Sequence, residues 1–388
     1  MARKKTRMSS LIVEVCSVEE IATHPNADRL ERIRVKNWWC IGSKGHYKVG
    51  DKAVYLPPDS IIPEALAERW GIAKYCSPLA RGIDGQRPDG LRIRANRFRG
   101  EPSFGCLQDP DDTTWEVGKD VKEYYNVSKW EPPLKCLDGD AAPPVNAFHA
   151  YTDIENIGNF PGILKDGEEV IVTENIHGTN SRVGYVFHVD EQTEGYATWQ
   201  WMAGSHGTRR KEINEKGVKS KYWFPFSIGD GNEPMQEMLK EIRNKENAQR
   251  SVICFGEIFG PGIQDMHYGQ KGLAYRIFDI AVDGKYLNWD KVVENTSPYV
   301  HLGIQTVPVL YRGPFSMEAM SKLVDGPTTI VEKPDQITQV FKGREGIVIK
   351  PVVERFDQNL GSGSGRVVLK YISVDYHDRK NSDRTEDH

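Results

Sequence analysis

The stretch "VIVTENIHGTNSRVGY", residues 170–185, decides how the second half of the chain is read. An apolar run, Val170-Ile171-Val172, leads into the polar knot Glu174-Asn175-Ile176-His177-Gly178. A strand followed by a tight glycine turn presents one side chain to a pocket. Here that side chain is Asn175, whose amide nitrogen is resonance-tied and a poor nucleophile. The frame is built for chemistry, yet its centre carries no reactive atom.

Around this stretch lie further strands with charged residues at unusual places. Glu257 sits in "CFGEIFG", Glu345 and Lys350 bracket "GREGIVIKP", and Lys370 closes "RVVLK". Charges beside apolar strand interiors need partners or a ligand. Two carboxylates and two lysines suit a nucleoside triphosphate with magnesium: the lysines meet phosphate oxygens, and a carboxylate holds the hard cation. Phe278, in "YRIFDI", offers a flat ring for a base. Taken singly, each of these residues reads more simply as a paired charge or a core ring.

Their order changes that balance. Glu174-x-x-x-Gly178, Phe255-Gly256-Glu257, Tyr275-Arg276-Ile277-Phe278-Asp279, Glu345-Gly346-Ile347-Val348-Ile349-Lys350 and Leu369-Lys370 together resemble the covalent nucleotidyltransferase superfamily of ATP-dependent ligases and capping enzymes. "TENIHGTN" is most similar to the RNA-ligase branch, whose first motif reads E-K-I-H-G, and the resemblance covers roughly residues 150–375. It implies that a lysine attacks the α-phosphate of ATP, that AMP then passes to an RNA 5′-phosphate, and that a 3′-hydroxyl displaces it. Asn175 stands at the nucleophile position. By the same resemblance Glu257 bonds the ribose, Phe278 stacks on adenine, and Glu345, with Glu257, serves Mg2+ or Mn2+. Lys350 and Lys370 contact phosphates. Glu174, Ile176, His177, Gly178 and Asn180 line the ATP site, and the next arginine is Arg209, Arg210 or Arg182. Ile372 stands where the family often carries a second lysine, which thins the phosphate contacts there.

Three accounts of Asn175 compete. The chain is a Lys→Asn variant of an active ligase that holds ATP without reacting, a natural pseudoenzyme, or an enzyme using another lysine such as Lys165. Lys165 lies in a polar turn before the strand, which disfavours it. A decayed enzyme loses several pocket residues together, and here the glutamates, lysines and Phe278 remain. The first account is favoured.

The first 130 residues contain short alternating runs, "SLIVEVCSVEEI", "LERIRVKNWWCI", "KAVYLPPDSII" and "GLRIRANRFRG", with one helical insert, "PEALAERWGI". This pattern predicts an OB-like barrel. "HPNADRLERIRV" and "YKVGDKAVYLP" are similar to the OB modules of tRNA-binding proteins and of one RNA-ligase group, although His24 by itself reads as a turn residue. Arg92 with Arg94, and Arg97 with Arg99, are expected to form stripes on strand faces beside Phe98, suited to a phosphate backbone. The alternative is a solvated edge strand guarded against aggregation. Trp38 and Trp39 read as core.

The expected fold is therefore α+β: an OB-like nucleic-acid-binding domain over 1–130, a Pro-rich linker over 131–147, a ligase-type nucleotidyltransferase domain of antiparallel or mixed sheet over 148–376, and a charged tail over 377–388. "EPMQEMLKEIRNKENAQR" has helical spacing, with Met235, Met238, Leu239 and Ile242 on one face. Net charge is −4 over 388 residues, but residues 1–52 hold 11 Lys/Arg against 6 acids, which suggests an anionic partner for that region. The six cysteines show no C-x-x-C pair, predicting reduced thiols in a cytoplasm-like compartment. No signal peptide and no membrane span are expected. The expected activity is an ATP-dependent RNA ligase sealing 3′-OH/5′-phosphate breaks at nicks in RNA or RNA-containing duplexes, as a monomer, with this chain blocked at adenylation. The rival readings are a non-catalytic ATP-responsive nucleic-acid-binding protein, and a DNA ligase or capping enzyme. The "IHG" and the short remainder after Lys370 disfavour the last pair.

Overall fold

A computed structural model describes residues 11–79, 89–130, 139–189, 196–331, 341–360 and 364–377. The tail over 378–388 and residues 131–138 of the expected linker lie outside the described residues. The architecture is α+β, with two compact units: one formed by Ser9–Pro132 with Asn156–Gly162, the other chiefly by Pro133–Glu155 and Ile163–His388.

In the first unit, short antiparallel strands follow the alternation of the sequence. Glu14–Ser17, Lys52–Leu56 and Cys106–Gln108 form one sheet, and Glu20–Thr23, Leu30–Val35 and Trp38–Ser43 form a meander. "SLIVEVCSVEEI" thus divides between two sheets at Val18, which is buried at the break. Val13, Val15, Val54, Leu56 and Ile62 form the core with Trp115 and Tyr125. The helical insert is confined to Glu64–Arg69.

Both expected arginine stripes fail here: Arg94 lies beyond the end of the strand Leu91–Arg92 and so does not share a strand face with Arg92. Arg97 lies in the strand Ala95–Phe98, but Arg99 sits in the turn to Glu101–Phe104 with φ 47°, so the two do not share a strand face. Gly100 (φ 90°) completes this turn, and a two-residue hairpin connection with both residues at positive φ matches the strand twist.

In the second unit, a six-stranded antiparallel sheet runs in the order Arg209–Arg210, Ala197–Ser205, Thr179–Val189, Ser251–Phe259, Ala274–Val282, Lys285–Tyr286. A second sheet places Leu369–Ile372, Gly346–Pro351, Glu169–Asn175 and Val309–Pro314 side by side. The helix Pro234–Lys245 buries Met235, Met238, Leu239 and Ile242 against the six-stranded sheet, as its spacing predicts. Pro234 opens it, where a missing N–H costs nothing. Residues 170–185 run from one sheet into the other, so the polar knot lies at the turn between them.

Candidate active site

Asn175 is the last residue of the strand Glu169–Asn175, and its register partner is Gly346. That pairing brings Glu345 beside it, and Asn175 Nδ2 donates to Glu345 Oε1 at 2.5 Å. A Cβ on Gly346 would lie 2.2 Å from the Tyr371 carbonyl oxygen, so only glycine lets the strands approach this closely. Gly178 is held the same way, with Ile258 O at 2.4 Å and Glu257 Cγ at 2.9 Å from the position of a Cβ. The turn after Asn175 is packed against the strand that carries Glu257.

His177 is buried between two carboxylates. Its Nδ1 lies 2.9 Å from Glu345 Oε2 and 2.8 Å from the Tyr376 hydroxyl, and its Nε2 lies 2.8 Å from Asp265 Oδ1. Its backbone N–H donates to the Tyr268 hydroxyl at 2.7 Å. Burial, followed by the charges of Glu345 and Glu174, keeps the Tyr268 phenol far above its ordinary pKa, so it stays a neutral hydroxyl. Glu174 bonds to a different segment. Its carboxylate accepts from Thr328 Oγ1 at 2.5 Å, Thr329 N at 2.7 Å and Thr329 Oγ1 at 2.6 Å. Ile176 packs into the core.

A second charged network lies along the same strands. Lys350 pairs with Asp279 Oδ1 and donates to the Phe278 carbonyl at 3.1 Å. Arg366, with no exposed surface, donates to Asp279 Oδ2 at 2.9 Å and grips Glu354 at 2.6 and 2.7 Å. The Tyr151 hydroxyl donates to Asp279 Oδ2 at 2.5 Å and accepts from Arg366 Nη1 at 3.1 Å. Burial alone would raise the Asp279 pKa, but Arg366 and Lys350 overcome it and hold the carboxyl below its usual range. Burial lowers the Lys350 pKa, with Asp279 opposing. The Tyr151 ring meets Phe278 edge-on at 4.8 Å.

Between these two groups runs a row of polar residues on one face of the six-stranded sheet. Asn180 pairs across from Glu257, and Arg182 across from Phe255. Arg182 is 4% exposed, lies 4.6 Å above the Phe148 ring, and has its pKa lowered to about 10 by burial. Asn180 Oδ1 and Arg182 Nε are buried without a hydrogen-bond partner. Buried polar atoms of this kind have hydrogen-bonding capacity that a polar ligand or water can take up.

The other sequence candidates fall in varied places. Lys370 pairs across from Val348, in register with the Lys350 strand. Arg210 is committed to Asp140 at 2.6 Å, which also accepts from Ser220 Oγ at 2.7 Å, while Arg209 donates to the Pro143 carbonyl at 3.2 Å. In the first unit, Arg92 bonds Asp59 and lies 3.5 Å from the Trp130 ring centroid. Arg97 donates to Gly100 O at 3.0 Å, and Arg94 leaves the strand Leu91–Arg92. His24 does more than turn the chain. Its Nε2 lies 2.9 Å from Phe98 O and its Nδ1 accepts the Asn26 N–H at 3.1 Å, clasping the hairpin. Trp38 is core, as read.

Asp265, Tyr268, Tyr376, Asp279, Arg366 and Thr328–Thr329 were not read as site residues. Only Asp279 carried a sequence signal, as a carboxylate inside an apolar strand. The others reach His177, Glu174 or Asp279 across 80 or more residues of chain, beyond any local pattern.

Comparison with known proteins agrees with this geometry. Residues 168–372 match the RNA ligase family model, and residues 12–109 match an OB-fold domain model. The structure of Naegleria gruberi RNA ligase with PPi is 25% identical, covering 97% of this chain and 100% of that one with a TM-score of 0.69. A Lys-to-Ala mutant of that ligase with ATP and Mn is 23% identical, covering 94% and 98%, with a TM-score of 0.68. A Lys-to-Met mutant with AMP and Mn is 23% identical, covering 96% and 99%, again at 0.68. No curated protein sequence matches the chain. Paired sheets with acidic and basic groups around a strand-end position define a ligase-type nucleotidyltransferase. The chain belongs to the RNA ligase family, with an OB-fold domain at its N-terminus.

Proposed function

We propose that this chain is a Lys→Asn variant of an ATP-dependent RNA ligase that seals 3′-OH/5′-phosphate breaks at nicks in duplexes, and that Asn175 blocks its first step. The carrying observation is the strand-end Asn175, whose amide is bonded to Glu345 beside buried orphan atoms on Asn180 and Arg182. Self-adenylation needs an amine to form an N–P bond to the α-phosphorus as the P–O bond to pyrophosphate breaks. An amide nitrogen cannot supply that electron pair at useful rates, whereas a lysine with its pKa lowered by its surroundings can.

The remaining groups suit adenosine. Asn180 Oδ1 and Arg182 Nε offer an acceptor and a donor, Glu257 takes the ribose hydroxyls, and Phe278 stacks on the base. His177, held by Asp265, Glu345 and Tyr376, fixes the turn that carries position 175. Lys370 and Lys350 supply positive potential for phosphate oxygens. Among the described residues no three acidic, histidine or cysteine groups converge on a metal position. Mg2+ or Mn2+ would therefore be held by Glu345, with Glu257, together with phosphate oxygens and water, and would neutralise charge on the phosphates. Sealing of an already adenylated strand needs no amine at 175: the 3′-oxygen forms its bond to phosphorus as the bond to AMP breaks. The domains are assigned as 1–130, 131–147, 148–376 and 377–388, acting as a monomer in a cytoplasm-like compartment.

The test compares this chain with Asn175→Lys, using α-phosphate-labelled ATP with magnesium or manganese, alongside sealing of a pre-adenylated nick. Label on the revertant alone, with sealing by both, supports the reading. Label on neither favours a nucleic-acid-binding protein that keeps the pocket without covalent chemistry.

A further inference from the structure

The face of the six-stranded sheet opposite Asn180 and Arg182 carries a continuous run of aromatic rings. Side chains alternate between faces along a strand, so Tyr185 and Phe187 point away from the row that contains Arg182. Register sets Tyr185 across from Trp201 and Phe187 across from Trp199. Neighbouring ring centroids follow at 5.7 Å (Phe187–Trp199), 4.9 Å (Trp199–Tyr185) and 4.3 Å (Tyr185–Trp201), the last pair stacked at 26°. Phe226 continues the run at 5.6 Å from Trp201. The run emerges at Phe187, which is 42% exposed.

The helix Pro234–Lys245 walls this ledge and sorts its charges. Arg243 lies 4.6 Å from the Trp199 centroid and Lys240 lies 5.5 Å from that of Trp201. Among the described residues neither forms an ion pair with a carboxylate, and the Arg243 guanidinium donates through Nη1 to Asn244 Oδ1 at 3.1 Å. The helix's own acids, Glu241 and Glu237, act on Tyr299 instead, where they join burial in raising its pKa. Cations therefore gather on the aromatic flank.

We propose that this ledge is a docking platform for a single-stranded RNA segment, with a base stacking on Phe187 and Trp199 and phosphates meeting Arg243 and Lys240. Stacked rings beside cations are the combination that sequence-independent single-strand binding uses. A protein partner of matching chemistry would be acidic and apolar, and two cations set beside stacked rings favour a phosphate backbone with bases. The choice of RNA rests on the ligase reading above. Because the ledge lies on the opposite face from Asn180 and Arg182, it is a tether remote from the pocket.

The test titrates a fluorescent single-stranded oligoribonucleotide by anisotropy, without ATP, at several salt concentrations. The full chain is compared with Phe187→Ala and with Lys240→Glu/Arg243→Glu, whose side chains lie at the ledge's rim. Phe187→Ala is expected to weaken binding about five- to tenfold. The double reversal is expected to flatten the slope of log K against log salt by about 1 to 1.5. Unchanged affinity and slope in both, with unchanged thermal midpoints, overturns the proposal and leaves the ledge to core packing or a protein partner. Carrying Asn175→Lys in the same chains separates the two readings. Intact labelling with lost RNA binding isolates the ledge, and absent labelling with ledge-dependent binding overturns only the ligase reading.

Discussion

Two buried charge clusters occupy the second unit, and they are built differently. Around Asp279 the charges close: Lys350 and Arg366 face Asp279 and Glu354, and Tyr151 takes up the remaining hydrogen-bonding capacity. Around position 175 they do not. Glu345 and Asp265 share one imidazole, and Asn175 contributes an amide hydrogen but no charge. Breaking a closed cluster strands ions in a low dielectric, and its members are correspondingly expected to matter for stability. Among the described residues an amide, not a cation, stands at position 175 against Glu345, and the members of this open cluster are expected to matter for reaction. The difference separates scaffold from chemistry among residues that look alike in the sequence. Lys350, closed onto Asp279 yet proposed to lend positive potential to phosphates, is the one residue given a part in both.

The strongest way to break this division is to supply the missing cation. Asn175→Lys is expected to raise covalent label uptake on the order of 10^3-fold or more, the scale on which a nucleophile counts. Glu345→Gln in that background is expected to lower uptake again while leaving the thermal midpoint within a few degrees. A revertant that gains stability but no label would mean that the open cluster is scaffold too.

Next in size is Asp279→Asn, which leaves Lys350 and Arg366 with one fewer buried carboxylate. A loss of about 3–5 kcal/mol in denaturant unfolding is expected. The pH dependence follows from the depressed Asp279 pKa, which Arg366 and Lys350 impose against burial. A carboxyl with a lower pKa folded than unfolded stabilises above its unfolded value, near 4, and that contribution is lost as pH falls through the folded value. Acid unfolding below about pH 4 should therefore be shallower in Asp279→Asn than in the parent. Equal slopes would remove Asp279 from the stabilising network.

Glu174 tests whether a motif residue can belong to the scaffold. Its carboxylate is spent on Thr328 and Thr329, so Glu174→Ala leaves three donors unmet and is expected to cost about 2–3 kcal/mol. A ligand-binding defect without a stability loss would move Glu174 to the chemistry side.

The reach of the sequence follows the same physical line. Alternation and helical spacing marked the strands around 170–185 and the buried face of Pro234–Lys245, because local periodicity encodes which side is buried. Ordered motifs singled out Glu257, Phe278, Glu345 and Asn175, of which the fold brings Asn175 and Glu345 into contact. Arg99 was misread because strand alternation was carried one residue into a turn, where φ is positive. The clasp of His177 by Asp265 and Tyr376, and of Asp279 by Arg366, depends on side chains that only the folded registers bring together.

The smallest and sharpest comparison sets two hydroxyl deletions side by side. In Tyr151→Phe the lost O–H was both donor to Asp279 and acceptor from Arg366, each fully buried, so the closed cluster loses two hydrogen bonds to charged groups. A cost of about 2–3 kcal/mol is the upper expectation, reduced because Glu354 still grips Arg366. In Tyr376→Phe the lost hydroxyl faced an Nδ1 that Glu345 also contacts, so about 1 kcal/mol or less is expected. The two clusters should part on stability here and reverse on activity: in the Asn175→Lys background, Tyr376→Phe frees the His177 ring behind the reacting strand end and should slow labelling more than Tyr151→Phe does. Single-turnover labelling beside urea unfolding measures both. If Tyr151→Phe proves the costlier on both scales, proximity to position 175 is not what sets a residue's role, and the closed network reaches into the chemistry as well.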